Sequence, residues 1–459
     1  MDSDVGSVET YDGDRISFYG KDNREMLKKF LKYELQSVAG MVGISVYILA
    51  DTFFISVYAG ADGLAMLNLV LPVYGVIYAI GSMIGIGSAT RYGINRAKGE
   101  DTGDYFLQSV FFSILFSIPF MLTGFLAPQK FLGLLGADAK LAALGKSYLR
   151  IILTATPLFM ANYTFTAFAR NDQATSVAMT ASIAGSLFNI VFDYILMFPC
   201  GLGLAGAALA TAVCPAVTMS ICGVHYLGRK NTVGFHWKRP GFSHLISCCK
   251  LGISAFVGEI SSAVITIVFN MLILGIAGNT GVAAYGVIAN MSAVAMSIFN
   301  GLAQGVQPLI SENYGKNHFD RAKKLLKMGL CASLVMELAI VAGVWAKTDA
   351  LIAVFNSEHN AELLRYAHVG LRLYFLGFLF AGINIMLVAY FSAVDNAKTA
   401  IAGSVSRGAV AIVVCAVLFA NLFGINGVWI SFLGSEMITC LLICGLARKM
   451  AGLRSVESA

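Results

Sequence analysis

Stretches of about 20 consecutive apolar residues recur along most of this chain, and that feature alone removes most folds from consideration. A helix needs about that length to cross the hydrocarbon core of a bilayer. Twelve such windows can be read, at roughly 33–59, 64–90, 105–127, 149–169, 175–198, 204–227, 246–277, 282–308, 328–346, 368–393, 401–421 and 427–447. The 459 residues are 57% hydrophobic and only 13% charged, whereas soluble domains run near ~25% charged. Backbone polar groups in lipid have to be satisfied within their own segment, so the windows predict helices. The period-2 alternation of barrel strands is missing from them. The expected fold class is all-α integral membrane, with twelve transmembrane helices.

The polar first 30 residues contain no apolar leader, so a cleaved signal peptide is not expected. Arg15, Lys21, Arg24, Lys28, Lys29 and Lys32 cluster before and at the start of the first window, which predicts a cytoplasmic N-terminus. Twelve crossings return Arg448, Lys449 and Arg454 to the same side. On this topology about 25 basic residues lie inside and about 7 outside, with the loops 228–245 and 309–327 carrying much of the excess. The net charge of +6 therefore follows from topology, and no nucleic-acid partner is expected. Nine cysteines without a CxxC pair support neither a zinc site nor a redox motif.

The chain also repeats itself. Ala59-Gly60-Ala61-Asp62-Gly63-Leu64-Ala65 echoes Ala277-Gly278-Asn279-Thr280-Gly281-Val282-Ala283, and Gly87 matches Gly305. Asp172-Gln173-Ala174 pairs with Asp395-Asn396-Ala397, and Gly203 and Gly206 pair with Gly424 and Gly427. An offset that stays near 220 predicts two six-span lobes entering from the same side, a parallel repeat of the kind transporters use. The expected organisation is a cytoplasmic tail 1–30, an N-lobe 31–227, a cytoplasmic linker 228–245, a C-lobe 246–450 and a cytoplasmic tail 451–459.

Polar groups inside the spans are costly to insert and point to function. Asn189 and Asp193 are one helical turn apart on one face of the fifth span. Thr211 lies about as far beyond the following Gly-rich turn as Asp193 lies before it. Asp51 in the first span and Asn162 in the fourth fall near the same depth at ~1.5 Å per residue. Two carboxylates, two amides and a hydroxyl form a set of hard oxygen donors. The second half does not repeat them: Phe269 stands opposite Asp51 and Phe432 opposite Thr211. Its own buried acids are Glu259, a candidate counter-charge for a cationic substrate, and Glu337 and Glu436, read as structural or pore-edge residues.

Other motifs carry little. Gly201-x-Gly203-x-x-Gly206 has the spacing of a nucleotide loop but sits between two apolar segments, so it predicts a tight helical hairpin. There is no Walker A motif, no histidine deep in a span and no Asp-rich or Ser/His constellation. An enzyme is therefore not expected, and neither is an organic cofactor.

Twelve spans in two parallel lobes, with Leu49-Ala50-Asp51-Thr52-Phe53-Phe54-Ile55 in the first, resemble the multidrug and toxic compound extrusion (MATE) family over about residues 30–450. Asn189-x-x-x-Asp193 with Thr211 and Asn162 is similar to the N-lobe cation site of its DinF-like branch. The resemblance implies an antiporter in which Na⁺ or H⁺ entry drives out drug-like, often cationic compounds, with the cation held by Asp51, Asn162, Asn189, Asp193 and Thr211. It implies a monomer in the plasma membrane, in contact with lipid. A flippase of lipids or lipid-linked oligosaccharides, from the same broad superfamily, is the alternative. Two departures stand out. Gln36-Ser37-Val38-Ala39-Gly40 lacks the proline the family often has in the first span, and Gly252-Ile253-Ser254 replaces Gly-x-Pro in the seventh.

Overall fold

The computed structural model describes residues 9–353 and 360–457, with side-chain surroundings given for 23–60, 62–353 and 360–448. Part of both expected tails, with the side chains of Arg15, Lys21, His359, Lys449 and Arg454, lies outside the described residues. Twelve helical spans follow one another among the described residues. The first six are α1 (Asn23–Gly60), α2 (Asp62–Ala97), α3 (Tyr105–Leu126), α4 (Ala139–Thr154 and Thr156–Asn171, bent by 43°), α5 (Thr175–Met197) and α6 (Gly203–Tyr226). Then come α7 and α8 (residues 242–277 and 279–315), the two halves of Phe242–Gly315 on either side of Gly278. The last four are α9 (Phe319–Ala346), α10 (Ala361–Phe375 and Phe378–Ala393, bent by 44°), α11 (Ala397–Phe423) and α12 (Ile425–Arg448).

The helices overrun the apolar windows where they leave the membrane. For example, α9 starts nine residues before its window, and that first stretch holds Arg321, Lys323, Lys324 and Lys327. Hydropathy stops at the lipid boundary, whereas helix hydrogen bonding does not. The bend in α4 has a covalent cause. Pro157 follows Thr156 and supplies no N–H to the preceding turn.

The repeat is visible in backbone angles. Gly60 and Gly278 turn their chains at φ 56° and 61°, a region open to glycine and strained for other residues. Three residues on, a Cβ at Gly63 would lie 2.7 Å from the Ala59 Cβ, and one at Gly281 would lie 2.6 Å from the Ala277 Cβ. One sequence pairing needs correction. The residues with left-handed backbone are Gln173 and Asp395, at φ 61° and 58°. Asp395 is thus equivalent to Gln173, one position later than letter matching placed it. The Gly-rich turn is the expected hairpin, where a Cβ at Gly206 would meet the Leu196 carbonyl oxygen at 2.8 Å.

The bundle is inside-out by the standards of a soluble protein. Leu35, Leu126, Met271, Val335 and Leu441 point outward, while Ser82, Ser113, Asn189, Asp193, Thr211, Asn384 and Thr439 are buried. That distribution fits a solvent of acyl chains, in which polar groups have to find partners internally.

Two glycine-lined seams join the lobes near the face where the described chain begins and ends. On one seam, Gly301 and Gly305 of α8 press on Val38 and on Tyr33 and Glu34 of α1. On the other, a Cβ at Gly252 of α7 would clash with the Met83 carbonyl oxygen of α2, and one at Gly87 with that of Cys248. Ion pairs close the same face: Arg91 reaches Asp395 at 2.7 Å and Lys29 reaches Glu312 at 3.5 Å. Overpacking a tight contact typically costs about 1–3 kcal/mol. Gly252→Val is therefore expected to lower the thermal midpoint in detergent and to widen spin-label distances across the α2–α7 seam. An unchanged midpoint with unchanged distances would count against so close an approach.

Candidate functional site

Helices α1 and α5 run in the same direction, packed through small residues. A Cβ at Gly40 would sit 3.6 Å from the Ser182 Cβ, and one at Gly43 would sit 3.7 Å from the Ser186 Oγ. At the other end, the rings of Tyr58 and Phe198 lie 6.0 Å apart and those of Phe54 and Phe198 6.3 Å apart. Between these contacts the same register sets Asp51 against Asp193. The two carboxyl groups lie close enough to interact directly. Two carboxylates so placed repel one another unless a proton or a cation lies between them.

Asn189, one turn before Asp193, is fully buried along with it. With its amide oriented to satisfy both neighbours, Asn189 donates to Asp193 Oδ2 at 3.0 Å. In that orientation its carbonyl oxygen accepts from the Thr211 N–H at 3.2 Å and from Thr211 Oγ1 at 3.1 Å. Thr211 of α6 thus fixes Asn189, and Asn189 fixes Asp193. The sequence-predicted residues of α1, α5 and α6 converge in one place.

Asn162 lies in the second segment of α4, three residues beyond Phe159, whose ring packs 5.9 Å from both Tyr74 and Tyr78. Its side-chain oxygen is buried and makes no hydrogen bond among the described residues. The same holds for Asp51 Oδ1 and Asp193 Oδ1. Buried acceptors in native folds normally have donors. Three unsatisfied oxygens, two of them on carboxyl groups, are what a small hard cation or a proton would satisfy.

Glu259 is placed elsewhere. It stands near the middle of α7, within electrostatic reach of Tyr78 and Tyr163. Those tyrosines belong to an aromatic wall that sequence reading missed. Tyr78 and Tyr163 lie 6.1 Å apart and Tyr74 and Tyr78 5.6 Å apart. Tyr47 of α1 lies beside Tyr78, and the Tyr74 and Tyr148 hydroxyls meet at 3.2 Å. The available signal was Tyr74 and Tyr78 at i, i+4 on one face of α2.

The other two acids form part of a second polar cluster, within the C-lobe. Asn384 donates to Glu436 Oε2 at 2.7 Å, Arg407 pairs with Glu436 Oε1 at 2.9 Å, and the Ile383 N–H donates to Glu337 Oε1 at 2.8 Å. Glu436, read from sequence as structural or pore-edge, is thus paired inside the C-lobe. Its basic partner, present in the eleventh apolar window, had not been singled out. Arg407 rides on a π-helical turn, Ser406–Val410, a local widening often found where a side chain has a special task.

A multi-pass bundle of two six-helix lobes, with an acid pair buried in one of them, has the build of a membrane transporter. The chain matches the MatE family over residues 37–195 and 255–424, and it belongs to that family. It is 25% identical to the multidrug export protein MepA of Staphylococcus saprophyticus, over 92% of this chain and 94% of that protein. It is 26% identical to MepA of Staphylococcus aureus strain COL, with the same coverage. Among solved structures it resembles an outward-facing multidrug resistance MATE transporter of the MOP superfamily. The TM-score is 0.87 at 20% identity, over 93% of this chain and 96% of that one. A MOP superfamily transporter from Pyrococcus furiosus Vc1 gives 0.85 at 20% identity, over 92% and 95%.

Proposed function

We propose that the protein is a cation-coupled multidrug efflux antiporter that exports amphiphilic, often cationic compounds by alternating access. The observation that carries this reading is the closeness of Asp51 to Asp193, each with a buried oxygen that lacks a donor among the described residues. Asp51, Asp193 and Asn162 supply open oxygens toward the coupling ion, and Asn189 and Thr211 hold Asp193 in place. An oxygen-only set suits Na⁺ among small hard cations, and the acid pair also suits H⁺.

In this reading the seam face is cytoplasmic, as its basic residues favour, and the present conformation is closed to the cytoplasm. The lobes, 31–227 and 246–450 about the linker 228–245, rock about the site in a plasma membrane, in a protein that works as a monomer. Cation arrival between the two acids removes their repulsion, draws α1 onto α5 and changes the shape of the N-lobe cavity. Tyr47, Tyr78 and Tyr163 offer π-faces, and Glu259 a negative charge, to an aromatic cation. The names of the Staphylococcus relatives support multidrug export as the task.

The test uses purified protein in liposomes loaded with a fluorescent cationic drug. An inward Na⁺ gradient at equal pH and an inward H⁺ gradient without Na⁺ are imposed in turn. Extrusion under at least one is expected, and the gradient that works identifies the ion. Failure under both, with lipid translocation observed in its place, would overturn the antiporter reading.

A further inference from the structure

Arg170 stands one residue before the end of α4 at the closed face, and its guanidinium is charged at any pH the protein meets. It is 8% exposed, and it makes no ion pair and no hydrogen bond among the described residues. The groups within its electrostatic reach are Tyr163, Tyr226 and Cys222, all neutral side chains. The acid two positions on is already taken. Arg96 and His225 pair with Asp172 at 3.1 and 2.9 Å, and the Thr232 N–H and hydroxyl donate to it as well. No acid among the described residues therefore neutralises this charge, and its nitrogens are open to the space beside them.

Arg170 lines a cavity between the lobes. Asn171 joins it from α4, and Gln304 and Gln307 face it from α8. The space is a small pocket whose apolar wall is Ile86, Ala167 and Pro308. Its polar wall is rich in donors. Gln304 has no hydrogen bond among the described residues. Gln307 uses one N–H on Thr90 and Asn171 one on the Ala167 carbonyl, which leaves the second hydrogen of each amide free. No carboxylate lines the space. One guanidinium among neutral amides balances a single negative charge, which matches a monovalent anion.

We propose that this cavity is a binding site for a small monovalent inorganic anion of the chloride class. Arg170 supplies the charge, and the amides of Asn171, Gln304 and Gln307 supply donors. Because the guanidinium comes from one lobe and two amides from the other, the bound anion ties the lobes together at the closed seam. Separation of the lobes hydrates Arg170 and releases the ion. The site is distinct from the Asp51–Asp193 pair and does not depend on which cation drives transport.

The test is a thermal-unfolding titration of the full chain in detergent. Sodium chloride replaces sodium gluconate at constant total Na⁺, for wild type, Arg170→Gln and Gln307→Leu. In wild type the midpoint should rise saturably with chloride. In Arg170→Gln the rise should vanish, while the variant in gluconate alone is no less stable than wild type, because it has lost an unopposed charge. An arginine with a merely packing role would lose stability in both salts. Gln307→Leu keeps the charge and removes donors, so its half-saturating chloride should increase by about tenfold or less. That variant stands in if Arg170→Gln does not fold. A wild-type midpoint indifferent to chloride, or an unchanged titration in the variants, would overturn the site.

Discussion

Asp193→Asn protein in liposomes is expected to extrude a cationic drug no faster than the passive leak, under whichever ion gradient drives the wild type. Asp193 is fully buried, lies close to Asp51 and is held by Asn189 at 3.0 Å. Asparagine there keeps the volume and a hydrogen-bonding oxygen but removes one of the two charges that a cation would bridge. Loss of a residue that only braces a metal ligand typically costs about 10–100-fold in ion affinity. Removal of a charged ligand is expected to cost at least that much. Equilibrium ²²Na⁺ binding or proton-uptake measurements on the same sample separate loss of the ion from loss of the drug. Asp101→Asn is the control. It removes a carboxylate that meets Lys238 at 2.8 Å outside the bundle, and it should leave coupled extrusion unchanged. If Asp193→Asn and Asp51→Asn both kept gradient-driven extrusion, the acid pair would not be the coupling site.

The convergence of Asp51, Asn189, Asp193 and Thr211 was legible because membrane depth is a one-dimensional quantity. Counting residues from a turn gives height, and a carboxylate at an unusual height stands out against apolar neighbours. Rotation about the helix axis is less accessible. The sequence read Asn162 near the same depth but could not say which residues it faces, and the structure gives it a buried oxygen without a donor among the described residues. The tyrosine wall was hidden for a related reason. Tyr74, Tyr78 and Tyr163 read as ordinary interfacial or lipid-facing aromatics until helix packing sets them in a row and brings Tyr78 and Tyr163 within reach of Glu259.

Fold class was legible for a stronger reason, since lipid admits few architectures and the Ala-Gly turns at Gly60 and Gly278 mark equivalent points of each lobe. Register within the repeat was less secure. Asp395 occupies the turn position of Gln173, and the π-helical turn in α11 has no counterpart in α5. Partners were the hardest to foresee. Glu436 was visible as a buried acid, but its pairing with Arg407 joins different helices, and hydropathy averages a single arginine away inside an apolar window. Arg170 was likewise legible as the last basic residue of a span. That it has no acid partner is a property of the packed lobes alone.

The second large effect is expected at that C-lobe pair. Glu436 is 1% exposed, and Arg407 reaches it at 2.9 Å with only 17% of its own side chain exposed. Taking one partner from a buried pair leaves the other as an unopposed charge, at a cost of roughly 3–5 kcal/mol. Arg407→Met should therefore lower the thermal midpoint in detergent by on the order of 10 °C for a lobe of this size. Asn384 still donates to Glu436 Oε2 at 2.7 Å, but a neutral amide cannot replace the charge. The double variant Arg407→Met with Glu436→Gln removes both charges and should recover most of the loss, since an ion pair and its neutral isostere often differ little in net stability. Asp193 lies on α5 of the N-lobe, so neither variant should abolish ion binding in whatever fraction remains folded. That contrast separates a structural pair from a coupling site. If Arg407→Met unfolded at the wild-type midpoint, or the double variant were as unstable as the single one, the pair would not be holding α11 to α12.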